Sequence, residues 1–231
     1  MWWSTTALPI FRSSAPGREL TDQIVEDRRF KPGVIAQVLE RMESEPKRIV
    51  PQGAFARALA LINVRTAEEA AQRKSAGEVD REAARAEDKV RASLTINPAD
   101  SFLWLILYSL DTGHNGFDGK QTSYLDQSYK TGPREGWIAL RRNRIALALF
   151  SLLGEPGQEE VVAEFAGLVE SEFIDDAALN LLGVGWAHRE RLVSSLQRAD
   201  VTGREALAKR LSQEGIKVAI PGIQNDERPW R

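Results

Sequence analysis

The residues with the most chemical potential in this chain are Asp111, which opens an Asp-Thr-Gly triplet after an apolar run, and the glycine-rich stretch 113–123 that follows. An Asp-Thr-Gly loop serves proteolysis only when two aspartates share a proton, which needs a second lobe or a second copy and a β framework. Here the surroundings are helical and no second triplet exists, so the pattern predicts a helix C-terminus with Gly113 as its stop. The stretch GHNGFDGKQTS also comes close to a phosphate loop. Five residues separate Gly113 from Gly119 where that loop needs four, and Gln121 follows Lys120 where a hydroxyl is needed. Counted as a calcium loop from Asp111, it puts Gly113 and Thr122 where carboxylates belong. A surface turn is the expectation.

The remaining motifs weigh toward structure as well. Gly183-Val184-Gly185 lacks the strand and third glycine of a dinucleotide fingerprint and predicts close helix packing. Asp175-Asp176 and Glu159-Glu160 are expected in first helical turns, where acids complement the macrodipole. His114 and His188 are the only imidazoles and there is no cysteine. Disulfides, thiolate zinc sites, iron–sulfur clusters and cysteine nucleophiles are thereby excluded. No serine has a nucleophile-elbow context. The expectation is a chain with no catalytic residue, no metal and no cofactor.

One constellation keeps a functional meaning. On a 3.6-residue period Arg141 and Arg144 share a face with Trp137 and Ala148, which puts guanidinium groups beside an apolar stripe. That placement is costly unless carboxylates or a ligand satisfy the charges. Trp104, Tyr108 and Asp111 fall on one face of the preceding long helix, and Tyr124, Gln127 and Ser128 on one face of the helix between. Two readings stay open. Trp104, Tyr108, Asp111, Tyr124, Gln127, Arg141 and Arg144 line a groove for a sugar or an acidic peptide, or the arginines pair internally with carboxylates.

The elements that must carry these residues follow from composition and periodicity. Of 231 residues, 42% are hydrophobic and 28% charged, the profile of a folded protein. A net charge of −2 gives no field for nucleic acid. Met1 to Phe11 is apolar but shorter than the ~20 residues of a spanning helix and lacks the cationic start of a signal peptide. Residues 1–17 therefore read as an apolar leader and linker, with a membrane-interface foot at Trp2 and Trp3 as one use.

Helices are expected at Glu19 to Arg29, around Ile35 to Met42, from Pro51 to a stop at Gly77, and over 79–96. The next starts at an Asp100 or Ser101 cap, since Asn97-Pro98 breaks the chain there. Further helices are expected near 122–131, 134–153, 156–171, 174–182, 186–198 and 203–214. Ile216 to Ile220 alternates like one short strand, and 221–231 reads as a loose tail. The fold class is all-α, one domain over 18–220 with a single C-terminal strand at most.

A weak internal repeat refines this picture. Trp104 and Trp137 lie 33 residues apart, and the prolines before them, Pro98 and Pro133, lie 35 apart. That is near the ~34-residue period of tetratricopeptide repeats. Ala86, Val90 and Ser93 before Pro98 also resemble the small–apolar–small pattern of a second repeat helix. About residues 51–170 thus resemble a degenerate tetratricopeptide-like, right-handed array of antiparallel helix pairs.

The stretches ADSFLWLILYSLD, SYKTGPREGWIALRRNRIALALF and LLGVGWAHRERL resemble an uncharacterised family of bacterial cell-envelope proteins, whose members usually carry one N-terminal membrane anchor. The resemblance implies an envelope protein on the periplasmic side of the inner membrane, membrane-associated through its N-terminus. Its expected role is to bind a partner protein without catalysis. Alternatives are an accessory factor or enzyme for envelope polysaccharide and a cytoplasmic adaptor.

Overall fold

A computed structural model describes Ile24 and residues 33–44, 53–73, 76–133 and 135–223. The expected leader of residues 1–17 lies outside the described residues, as do most of the expected Glu19 to Arg29 helix and the tail from 224. Ten α-helices occur among the described residues and no strand, so the chain is all-α. They are α1 (Val34–Ser44), α2 (Gly53–Arg73), α3 (Ala76–Ile96), α4 (Ser101–Asn115), α5 (Thr122–Thr131), α6 (Gly136–Ala148), α7 (Glu155–Glu170), α8 (Ile174–Leu182), α9 (Arg189–Ser195) and α10 (Val201–Gln213). The chain divides into two compact units, Met1–Tyr124 and Leu125–Arg231, with the division inside α5.

In the first unit α2 and α3 pack along one another, α1 lies on α2, and α4 lies on α3. Ile35, Leu39 and Met42 of α1 meet Ala58 and Ile62 of α2 in one apolar cluster. Helix α4 buries Phe102, Leu103, Leu105, Leu107 and Tyr108. Burial on several sides is why its sequence shows an unbroken apolar run instead of a stripe. Its start is set by Asp100, whose Oδ1 accepts from the Leu103 amide at 3.1 Å while Oδ2 accepts from Arg57 Nε at 2.7 Å. The stop is Gly116 (φ 75°) and not Gly113, because Gly116 is the residue in the left-handed region that ends a helix cheaply. Gly77 likewise lies in the first turn of α3 and does not end the helix before it.

The second unit is organised around α7, against which α6, α8, α9 and α10 all pack. Phe165, Leu168 and Val169 of α7, Leu181 of α8, Leu192 of α9 and Leu207 of α10 share its core. The expected strand is absent from Ile216 to Ile220, since no second extended segment among the described residues offers a ladder. Its alternation still has a physical meaning: the extended segment puts Ile220 into the core and packs Val218 against it.

Two close backbone constraints shape this unit. A Cβ on Gly203 would sit 2.5 Å from the Val169 carbonyl oxygen, so α10 crosses α7 where only glycine fits. At the end of α7 the amides of Glu172 and Phe173 donate to Val169 and Leu168 carbonyls at 3.2 and 2.9 Å. This paired cap requires a left-handed residue, and Glu172 supplies it at φ 63°. Gly203→Ala, which in an open helix gains about 1 kcal/mol, should here cost about 1–3 kcal/mol through overpacking. Glu172→Gly should gain about 0.5–1 kcal/mol, the relief of left-handed strain less the added freedom of the unfolded chain. Urea titrations of both variants with unchanged slopes check the two signs.

Candidate functional site

Each unit carries a candidate surface. In the first, the structure brings three of the expected groove residues together around an arginine that sequence reasoning did not single out. Arg91 projects from α3, donates from Nη2 to the Tyr124 hydroxyl at 3.1 Å and lies 5.5 Å from the centre of that ring. The same guanidinium holds Glu87 at 2.7 Å and Asp111 at 3.5 Å. Trp104 stacks on Tyr124 with ring centroids 6.1 Å apart and planes 20° from parallel, and its indole N–H donates to the Pro98 carbonyl at 2.8 Å. Both rings are half-buried. Asp111 is also fixed by Asn115, whose Nδ2 donates to Oδ1 at 2.7 Å. Tyr108 is buried in the core, where loss of solvent pushes its phenol upward.

Gln127, Arg141 and Arg144 belong to the second unit; Gln127 is half-buried and both arginines are exposed. Trp137, Arg141, Arg144 and Ala148 do share a face of α6, but it is the solvent face, with Trp137 38% exposed. The buried face carries Ile138, Ala139, Arg142, Asn143, Ala146 and Leu147. The arginine inside the protein is therefore Arg142, at 0% exposure. Its Nε and Nη2 donate to Glu164 Oε1 at 2.9 and 2.7 Å. Nη1 donates to the Ser128 carbonyl at 2.6 Å and hydroxyl at 3.0 Å, and Nη2 to the Gly132 carbonyl at 3.0 Å. One bond from Nε and two from each terminal nitrogen use the five donors of a guanidinium.

The acceptors explain the location. The Ser128 and Gly132 carbonyls lie at the C-terminal end of α5, where the helix dipole favours a cation; the Ser128 carbonyl also accepts from the Gly132 amide at 3.1 Å. Glu164 comes from the apolar stripe of α7, and its Oε2 accepts from the Tyr129 hydroxyl at 2.8 Å. The Arg142 guanidinium lies 4.1 Å from the Tyr129 ring centre. Burial pushes the Glu164 carboxyl up, and Arg142 and the Tyr129 hydroxyl pull against it, with a net rise. Burial and the Glu164 charge together hold the Tyr129 phenol well above its ordinary value. Asn143 extends the network: its Nδ2 donates to the Val161 carbonyl at 3.0 Å, and its Oδ1 accepts from Asn180 at 3.2 Å.

Beside this network a cleft of about 480 Å³ opens between α7, the α5–α6 turn and the α7–α8 turn. Tyr129 and Glu164 reach its wall, Glu160 and Glu170 of α7 line it, and Phe173 stands at one side. Burial and the neighbouring Asp126 push the Glu160 carboxyl up, against the pull of Arg142 and Lys130.

The other sequence motifs find structural places. Gln121 ties the glycine-rich turn together, accepting from the Asp118 amide at 3.1 Å and donating to the Gly116 carbonyl at 3.0 Å. Gly185 is clamped, since a Cβ there would lie 2.8 Å from the Asn180 carbonyl oxygen. Asp175 and Asp176 do open α8, whereas Glu159 and Glu160 lie a turn inside α7, which starts at Glu155. The His188 ring packs on Phe150 at 4.4 Å. Among the described residues no cluster of three His or carboxylate groups is placed to hold a metal, and no helix is long and apolar enough to cross a membrane. Compared with known proteins, the chain matches no family model, no curated protein and no solved structure.

That Arg142, and not Arg141 or Arg144, is the buried arginine of α6 has a measurable consequence. Arg142→Ala leaves the Glu164 carboxylate buried without its counter-charge and should cost about 3–5 kcal/mol. Arg141→Ala and Arg144→Ala, on the exposed face, should stay within about 0.5 kcal/mol of the parent. Thermal melts of the three variants separate them.

Proposed function

We propose that this chain is a non-enzymatic interaction protein of the bacterial envelope that recognises a partner protein on a preformed helical surface. The observation that carries the reading is the Arg91–Trp104–Tyr124 cluster in the first unit. Two aromatic rings and a guanidinium, held at fixed geometry before any partner arrives, are the residue types that dominate binding energy at protein interfaces. Preorganisation lowers the entropy cost of association. The long pairing of α2 with α3, continued by α4, is compatible with helix pairs stacked like tetratricopeptide repeats. The envelope location, on the periplasmic side of the inner membrane, rests on the sequence resemblance.

A second reading, an accessory factor or enzyme for envelope polysaccharide, draws on the same stacked rings. The face of an aromatic ring takes the C–H face of a sugar, and Glu87 and Asp111 stand nearby as hydrogen-bond acceptors. One experiment separates the readings. The full chain and its Trp104→Ala and Tyr124→Ala variants are used to capture partners from envelope extracts, quantified by mass spectrometry, beside a glycan array. A protein captured by the parent and lost by about tenfold or more in Trp104→Ala, the scale of an interface hot spot, is the expected result. Glycan binding with no protein partner favours the polysaccharide reading. Capture indifferent to both substitutions contradicts both.

A further inference from the structure

We propose that the cleft beside the Arg142–Glu164 pair is a second binding site, separate from the Arg91 cluster, which takes a lysine or arginine side chain presented by a partner peptide. Its volume of about 480 Å³ falls within the usual ligand-pocket range of about 300–1,000 Å³. The chemistry of its wall selects the occupant. Glu160, Glu164 and Glu170 all line it, and among its described lining residues none is lysine, arginine or histidine. The Glu164 charge is answered from below by Arg142 and Glu160 feels Lys130 in part, so Glu160 and Glu170 are the acids that face the open space. Glu160 stands exposed at the cleft, where the repulsion of Asp126 opposes the pull of Arg142 and Lys130, and an incoming cation relieves that repulsion.

Size and shape supply the rest of the specificity. Between the acids the wall is made of Gly136, Ala139, Ala163, Gly167 and Leu168, narrow apolar positions that suit the methylene stem of a long basic side chain. A Cβ on Gly167 would meet nothing within 4 Å, so that stretch of α7 faces open space. Phe173 stands at the side of the cleft, 36% exposed, and its ring is available to the cation once the stem is seated. Its position follows from the left-handed Glu172, which turns the chain after α7 so that Phe173 lines the cleft. A wall of acids alone would attract any cation. Acids spaced along an apolar floor with an aromatic side distinguish an alkyl-bearing cation from a bare one.

The test uses the full chain, labelled with nitrogen-15, titrated with three pentapeptides that differ only at the centre: lysine, Nε-acetyl-lysine and glutamate. Ammonium chloride is titrated in parallel as the bare cation. The expected result is saturable shifts at residues 160–173 with the lysine peptide and none with the other two peptides. Affinity should then fall by about tenfold or more in Glu160→Gln/Glu170→Gln, the loss of charge-assisted contacts, with the thermal melt unchanged. Gly167→Leu, which fills the floor without touching a charge, should abolish the shifts while Trp104→Ala leaves them intact. Equal binding of the acetylated peptide, ammonium binding as tight as the lysine peptide, or no saturable shift with any probe each overturns the proposal. Because Trp104 lies in the other unit, its failure and that of the partner-binding cluster are read separately.

Discussion

The second unit depends on one buried ion pair, Arg142 with Glu164. Arg142 has no exposed surface, and a guanidinium in such a place is tolerable only when its donors are matched. The chain meets that demand with two elements at once: the end of α5 gives two carbonyls, a hydroxyl and the ring face of Tyr129, and α7 gives a carboxylate. Once Arg142 is seated, the register of α6 against α5 and α7 is set to within a hydrogen bond. Such a pair is a constraint more than a reserve of stability. Replacing both members by apolar groups is often neutral, whereas breaking one is not.

From that constraint the surfaces follow. With Arg142 inward, the helical period turns Trp137, Arg141 and Arg144 to solvent. The α5–α6 turn and the middle of α7 become two sides of a cleft whose inner wall is the Glu164–Tyr129 contact. In the first unit an exposed arginine plays a smaller version of the same part. Arg91 gathers Glu87, Asp111 and Tyr124, and Tyr124 in turn stacks with Trp104. Both candidate surfaces are built on guanidinium groups that organise aromatics and acids.

Much of the helical framework is legible in the sequence because its signals are local. Asp100 caps a helix through its own side chain, and the segments 122–131 and 174–182 end where glycine or proline interrupts the pattern. The stops at Gly77 and Gly113 are illegible for the same reason: a glycine inside a helix looks like one at its end until backbone angles are known. The face of α6 fails on tertiary grounds. Its buried stripe has Arg142 and Asn143 at its centre, so hydrophobicity alone points to the wrong side and Trp137 becomes a false anchor. A usable signal was present one helix later. Glu164 interrupts the apolar positions Val161, Phe165 and Leu168, and a carboxylate at a core position demands a cation within reach. Arg91 is illegible in the sequence because it lies in a run of alternating charges, where one arginine looks like any other until Tyr124 is brought over it.

The central claim is that Arg142 and Glu164 act as one unit, and a double-mutant cycle tests it most directly. Arg142→Met and Glu164→Leu are each made alone and together, and unfolding free energies are measured by urea titration. The account predicts that each single change is costly and that the double variant is less destabilised than their sum by about 2 kcal/mol or more, since the second change removes the charge the first left unmatched. Additivity within about 0.5 kcal/mol would mean that the two side chains do not depend on one another, and would contradict it.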